Sequence, residues 1–136
     1  MRIKRIILDT NLWISFLISK DFRDLDKLIE NKKILFLFSK ELLEEFISVS
    51  QRPKFHKYFS DFNIKELLRL FDEYGKMVSI KSSFNKCRDK KDNFLINLAI
   101  DGKADYLVTG DNDLLELREI GKTKIVTIKD FISTIK

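Results

Sequence analysis

Five short apolar runs punctuate the chain: Ile3–Leu8, Ile34–Phe38, Met77–Ile80, Tyr106–Thr109 and Lys124–Ile128. They are too short and too uniformly apolar for strands with one wet face, which would alternate. Such runs predict strands covered on both faces, as in a parallel sheet. Between them the spacing becomes helical. Leu42, Leu43, Phe46, Ile47 and Val49 form one stripe, Ile64, Leu67, Leu68 and Phe71 a second, and Phe94, Leu95, Leu98 and Ala99 a third. Ser39 stands where the first of these helices needs an N-cap, and Gly102 is the expected C-cap of the third. Asp89 and Asp92 have the spacing of a capping box, with Asp in place of Glu. Strands alternating with helices predict a three-layer α/β/α domain with a mostly parallel central sheet.

Punctuation is sparse. With one proline, Pro53, and glycines only at 75, 102, 110 and 121, no linker is visible, and a single domain over residues 1–136 is expected. The longest apolar runs fall far short of the ~20 residues a membrane-spanning helix needs. The opening Met1-Arg2-Ile3-Lys4-Arg5-Ile6-Ile7-Leu8 reads as a strand rather than a signal peptide. Cys87 is the single cysteine, so no intrachain disulfide can form, and a cytoplasmic location is the simplest expectation.

Charge adds a direction. The net charge is +5, which favours polyanionic partners only weakly. Its distribution says more. Lys81, Lys86, Arg88, Lys90 and Lys91 crowd around Asp89, and Arg52, Lys54 and Lys57 sit among Phe55, His56 and Tyr58. Each cluster is either a solvated surface or a phosphate-binding rim. Trp13, Phe55 and Tyr58 are equally open between stacking on bases and filling the core.

The acids carry the chemistry. Asp9 directly follows the first strand, and Asp111 follows the strand Tyr106–Thr109 through Gly110. In a parallel sheet both emerge at the carboxyl edge, where active sites of such folds lie. Asp92 opens a helix, Glu45 lies at the edge of an apolar stripe, and Asp113 is two residues beyond Asp111. Each alone has an ordinary explanation as a cap or a solvated helix residue. Converging carboxylates, however, repel unless a cation joins them, and an oxygen-only ligand set selects Mg²⁺ or Mn²⁺. One histidine and one cysteine cannot build a zinc site, and there is no nucleophile elbow or glycine-rich phosphate loop.

Four strings, in order along nearly the whole chain, resemble the motifs of PIN domains. They are Asp9-Thr10-Asn11; Ser39 to Phe46 followed by Arg52-Pro53-Lys54-Phe55; Cys87-Arg88-Asp89-Lys90-Lys91-Asp92-Asn93-Phe94-Leu95; and Ala104 to Leu115, containing Thr109-Gly110-Asp111-Asn112-Asp113. The branch they are most similar to is that of VapC-type toxin components. The resemblance implies a metal-dependent ribonuclease in which Asp9, Glu45, Asp92 and Asp111 are catalytic. Asp9, Asp92, Asp111 and Asp113 would hold Mg²⁺ or Mn²⁺, and Thr10, Asn11 and Gly110 would support them. Periodicity does not choose between Glu44 and Glu45, or between Asp89 and Asp92; the motif register favours Glu45 and Asp92. Lys90 stands where many relatives have proline, a loop variation.

The resemblance further implies an RNA substrate cut to 5′-phosphate and 3′-hydroxyl ends and contacted by Arg52, Lys54, Lys86, Arg88, Lys90 and Lys91. It also implies a cognate antitoxin and a homodimer, for which Asp21–Asn31 and Asn63–Gly75 offer striped helices. The alternatives are a PIN nuclease acting on an rRNA precursor or structured DNA, and a non-catalytic PIN-fold binding module. Phosphatases of the haloacid dehalogenase type need a second acid two residues after the first, and Asn11 occupies that position.

Overall fold

The computed structural model describes residues 3–19, 31, 33–55, 65, 69, 72–73, 75–85 and 90–135, with side chains for all but 16–19, 90–91 and 135. The chain runs β1 (Lys4–Leu8), α1 (Thr10–Ser19), β2 (Ile34–Phe38), α2 (Lys40–Ser50), a 3-10 turn (Pro53–Phe55), β3 (Gly75–Met77) and α3 (Lys90–Gly102). It continues through β4 (Tyr106–Val108), α4 (Asn112–Leu115), β5 (Glu119–Ile120) and β6 (Thr123–Val126) to α5 (Ile128–Ile135). The strands form one six-stranded sheet in the order β3-β2-β1-β4-β6-β5, parallel except for the β5–β6 pair.

Both faces of this sheet are covered, as the uniformly apolar strands require. Ile6, Ile7 and Leu8 are consecutive and all buried, as are Phe36, Leu37 and Phe38. Successive side chains point to opposite faces, so the neighbours of each residue identify the layers. Trp13 of α1 packs on Phe36 and Phe38, with ring centroids 4.9 and 5.4 Å away, and Phe131 of α5 packs edge-on to Tyr106 at 5.5 Å. Ile6 is in register with both Phe36 and Tyr106, so α1 and α5 share that face. Leu37 points the other way, onto Gly102 of α3.

The close approach explains Gly102. A Cβ there would lie 2.7 Å from Leu37 Cδ1, so the helix meets the sheet with no room for a side chain. Gly102 closes α3, as the sequence predicts, but does not take the left-handed conformation. That conformation falls to Lys103, with φ 52°. Ala104 N bonds to Ala99 O (3.0 Å) and Lys103 N to Ile100 O (3.3 Å), the paired bonds of a Schellman motif. Ser39 is the N-cap of α2 as expected, its hydroxyl accepting the amide of Leu42 at 3.1 Å. In that helix Leu42, Phe46 and Val49 are buried, while Ile47 is exposed.

Other boundaries move for identifiable reasons. β3 is Gly75–Met77 rather than Met77–Ile80, because its partner β2 ends at Phe38; the ladder ends with Val78 N bonded to Phe38 O at 2.7 Å. The segment beyond is held by α3 instead. Asn97 pairs with both backbone groups of Phe84 (2.8 and 3.1 Å), and Asp101 accepts the amides of Lys81 and Ser82 (2.6 and 2.9 Å) and the Ser82 hydroxyl. β6 ends at Val126 because Thr127 caps α5, its hydroxyl accepting the amide of Asp130 at 3.1 Å. β5 is two residues long and leaves no periodicity to read. It turns back through Gly121, whose φ of +56° suits glycine. The helices expected over Asp21–Asn31 and Asn63–Gly75 fall mainly outside the described residues, and Gly75 itself opens β3. Among the described residues, no helix is long and apolar enough to cross a membrane.

Candidate active site

Parallel strands deliver their carboxyl ends to one edge of the sheet. Asp9 is the first residue past β1, and its amide bonds to Val108 O of β4 at 3.0 Å. Its carbonyl starts α1 by accepting the amides of Leu12 and Trp13 at 3.0 and 3.1 Å. Thr109, the first residue past β4, is fully buried. Its hydroxyl donates to Asp9 Oδ2 at 2.7 Å and accepts the amide of Asp111 at 3.0 Å, while its own amide is fixed by Val126 O at 2.9 Å. One hydroxyl thus ties together the acids of two adjacent strand ends.

Asp9 is half-buried, and burial pushes its carboxyl above the ordinary carboxylate range. The Thr109 hydroxyl and the Asn11 amide oppose that rise, the negative charge of Asp111 adds to it, and the Thr10 amide opposes it slightly. The contacts that Thr10 and Asn11 make to Asp9 thus come from their backbone amides. Asp111 is the N-cap of α4, its Oδ1 accepting the amide of Asp113 at 2.9 Å. Asp92 lies in the first turn of α3 and is 3% exposed. Its place in that turn sets it at the positive end of the helix dipole.

One carboxylate oxygen from each of Asp92, Asp111 and Asp113 lies within 4.8 Å of the others. A hard cation bound at about 2.1–2.5 Å spans about 4–5 Å between opposite ligands, so this trio fits one. Asp9 stands beside the trio, close enough to feel Asp111. The cleft in front has a volume of about 420 Å³ and is lined by Asp9, Glu45, Asp92 and Asp111, together with Thr10, Asn11, Ser15, Arg52 and Gly110. Leu12, Val49, Phe94 and Leu95 form its apolar wall.

The geometry separates the paired possibilities at Glu44 and Glu45. Glu45 lines the cleft, whereas Glu44 faces solvent 3.9 Å from Lys40. Asp92 lines the cleft as well; Asp89 lies outside the described residues, as do Lys86, Arg88, Cys87, His56 and Tyr58. Lys90 and Lys91 open α3, and their side chains are among those not described. Arg52 reaches the cleft, while Lys54 is exposed with its ammonium 5.0 Å from the centre of the Phe55 ring. Trp13 is core, 1% exposed. At Gly110 a Cβ would meet no atom within 4 Å and φ is not left-handed, so neither packing nor backbone demands glycine there. Thr109 is the site residue that pattern reading passes over. A threonine at the end of an apolar strand looks like strand, and only the pairing of β1 with β4 reveals what it touches.

A strand-end aspartate on each of two neighbouring parallel strands, an acidic helix start facing them and a glutamate from α2 make up this site. The chain belongs to the PIN-domain family, whose model matches residues 5–113. It is 34% identical to the uncharacterised protein MJ1680 of Methanocaldococcus jannaschii, across 94% of this chain and 89% of that one. Its fold is similar to a chain of VapBC2 from Rickettsia felis, solved bound to a DNA fragment from their promoter. The TM-score is 0.56 at 17% identity, covering 89% of this chain and 96% of the other. It is also similar to the PIN domain endonuclease Utp24, with a TM-score of 0.57 at 18% identity over 91% of this chain and 84% of that one.

Proposed function

We propose that this protein is a metal-dependent endoribonuclease and the toxin of a toxin–antitoxin pair. The observation that carries the reading is the convergence of Asp92, Asp111 and Asp113 within 4.8 Å, beside Asp9 and Glu45 in one cleft. Membership of a nuclease-bearing fold family supports hydrolysis of phosphodiesters, and the VapBC2 likeness supports a partner antitoxin.

Asp92, Asp111 and Asp113 would hold a Mg²⁺ or Mn²⁺ ion, with Asp9 at its flank. Such an ion supplies charge stabilisation and lowers the pKa of a bound water. The chain itself does the rest. Thr109 holds Asp9 and the Asp111 backbone in fixed relation. Glu45, across the cleft, accepts the proton of the attacking water. Arg52 at the rim binds a phosphate flanking the scissile bond, and Lys54, Lys90 and Lys91 extend that contact. The apolar wall of Leu12, Val49, Phe94 and Leu95 limits bulk water beside the carboxylates.

The test is cleavage of RNA by the purified protein with Mn²⁺ or Mg²⁺, with EDTA, and by Asp9→Asn. Cleavage that needs metal and disappears in the variant supports the nuclease. Absence of both cleavage and calorimetric Mn²⁺ binding would make the acids structural caps and the protein a binding module.

A further inference from the structure

The amino-terminal edge of the sheet, opposite Asp9, holds a second concavity of about 500 Å³. Four separate stretches of chain contribute its charged lining. Arg5 comes from β1, Lys76 from β3, Lys103 and Asp105 from the connection after α3, and Lys122 from the β5–β6 turn, with Asp101 from α3 itself. The cations outnumber the acids by two.

Both acids are already engaged. Asp101 accepts the amides of Lys81 and Ser82 and the Ser82 hydroxyl. Asp105 Oδ2 accepts the Arg5 amide at 2.8 Å, and its Oδ1 lies 4.0 Å from Lys122 Nζ. The cations are less spent. Arg5 Nη1 donates to the Gly102 carbonyl at 2.7 Å, a neutral partner that positions the guanidinium without cancelling its charge. Lys76 and Lys103 have no carboxylate partner among the described residues. Lys103 is also the residue forced into the left-handed conformation, where glycine would be unstrained. A lysine stands where the backbone favours glycine, in a groove where Arg5, Lys76 and Lys122 join it against Asp101 and Asp105.

We propose that this groove is a phosphate-binding site separate from the acidic cleft. A positioned guanidinium with lysine ammoniums around it suits the several oxygens and multiple charge of a phosphate better than a single carboxylate. The five residues of β1, at roughly 3.3 Å each, set the two sites about 17 Å apart through the sheet, so an anion here is clear of the carboxylates of the acidic cleft. The phosphate can belong to a small ester or to the backbone of a nucleic acid strand. In either case the site binds with the metal removed, so it stands or falls apart from the nuclease reading.

The experiment is amide chemical-shift titration of the full chain in EDTA with inorganic phosphate and, separately, with a 12-nucleotide single-stranded RNA. The comparison protein is the Lys76→Ala, Lys103→Gly double variant. Glycine at 103 fits the left-handed backbone, so the variant keeps its fold, checked by the unchanged spectrum elsewhere. The expected result is saturable shifts at Lys103 and Lys122 with at least one ligand, lost in the variant. If RNA is the natural source, the slope of log Kd against log salt also falls by about 1.4 in the variant, ~0.7 for each phosphate contact removed. Groove shifts with phosphate and an unchanged RNA slope assign the site to a small phosphate compound. No groove shift with either ligand, or shifts that persist in the variant, overturns the proposal.

Discussion

The Thr109 hydroxyl donates a 2.7 Å hydrogen bond to the Asp9 carboxylate, joining residues one hundred positions apart, and it accepts the Asp111 amide as well. Thr109→Val keeps the shape and β-branching but removes both bonds. It should cost about 1–3 kcal/mol of stability, since the partners stay part-buried. RNA cleavage should fall, because Asp9 loses its largest pKa-lowering contact. Thr109→Ser should retain both. Urea unfolding together with a cleavage assay checks the pair.

Asp9 should trade stability for its role. Burial raises its folded-state pKa above the unfolded value near 3.8. Between those two values the folded protein binds more protons than the unfolded chain, so stability falls as pH rises through that window. At neutral pH the full penalty remains. Metal-free Asp9→Asn should therefore melt higher than the parent at pH 7, with the difference shrinking below pH 4, while cleavage is lost. A lower melting temperature for the variant at pH 7 would contradict this account.

Asp101 has the opposite sign. Hydrogen bonds from the Ser82 side chain and backbone, with Lys81, hold its carboxyl below the ordinary value of 3.8. The stabilisation is present above that value and is lost as pH falls through the lower folded pKa. Asp101→Ala should release the segment that leads towards α3. Hydrogen exchange at the Lys81 and Ser82 amides should accelerate, with little change in the amide of Phe84, which Asn97 holds.

Two glycines should behave differently. Gly102→Ala drives a Cβ into Leu37 and should destabilise by about 1–3 kcal/mol; Leu37→Val, which removes the clashing Cδ1, should recover part of that in a double-mutant cycle. Gly110→Ala meets open space and should leave the melting temperature unchanged. Any loss of cleavage in Gly110→Ala would then report on the cleft itself.

The two neighbouring glutamates make a clean control. Glu45→Gln should abolish cleavage, while Glu44→Gln, in solvent beside Lys40, should leave it intact. Equal activity of the two variants would remove Glu45 from the mechanism.

The layered fold was legible because uniformly apolar runs alternate with helical stripes along the chain. β2 matches residue for residue, and β1 and β4 differ by one residue at an end. What escaped the sequence depends on partners that a linear reading cannot see. β3 stops where β2 runs out, β5 exists only as the return arm of a hairpin, and α5 begins where Thr127 can cap it. Asp9 and Asp111 followed from one rule, that parallel strands end on one edge, whereas Glu45 and Asp92 came from the motif register, and the cleft is lined by all four. Gly102 closes α3 as its position predicts, but its packing role has no signal in the sequence. Its value lies in the missing side chain facing Leu37 rather than in a left-handed turn.

β1 lies at the centre of the sheet, paired on one side with β2 and on the other with β4. A chain leaving the ribosome can lay β2 on β1 after some forty residues, but the other flank stays open until β4 has emerged. Until then Asp9 has neither Thr109 nor Val108 to hold it, and Asp111 has not been made. Non-local pairing of this kind also forms late and slowly. The acidic cluster is therefore absent from every nascent chain that stops short of β4 and the turn beyond it, so translation itself delays its assembly until Asp111 and Asp113 have been made.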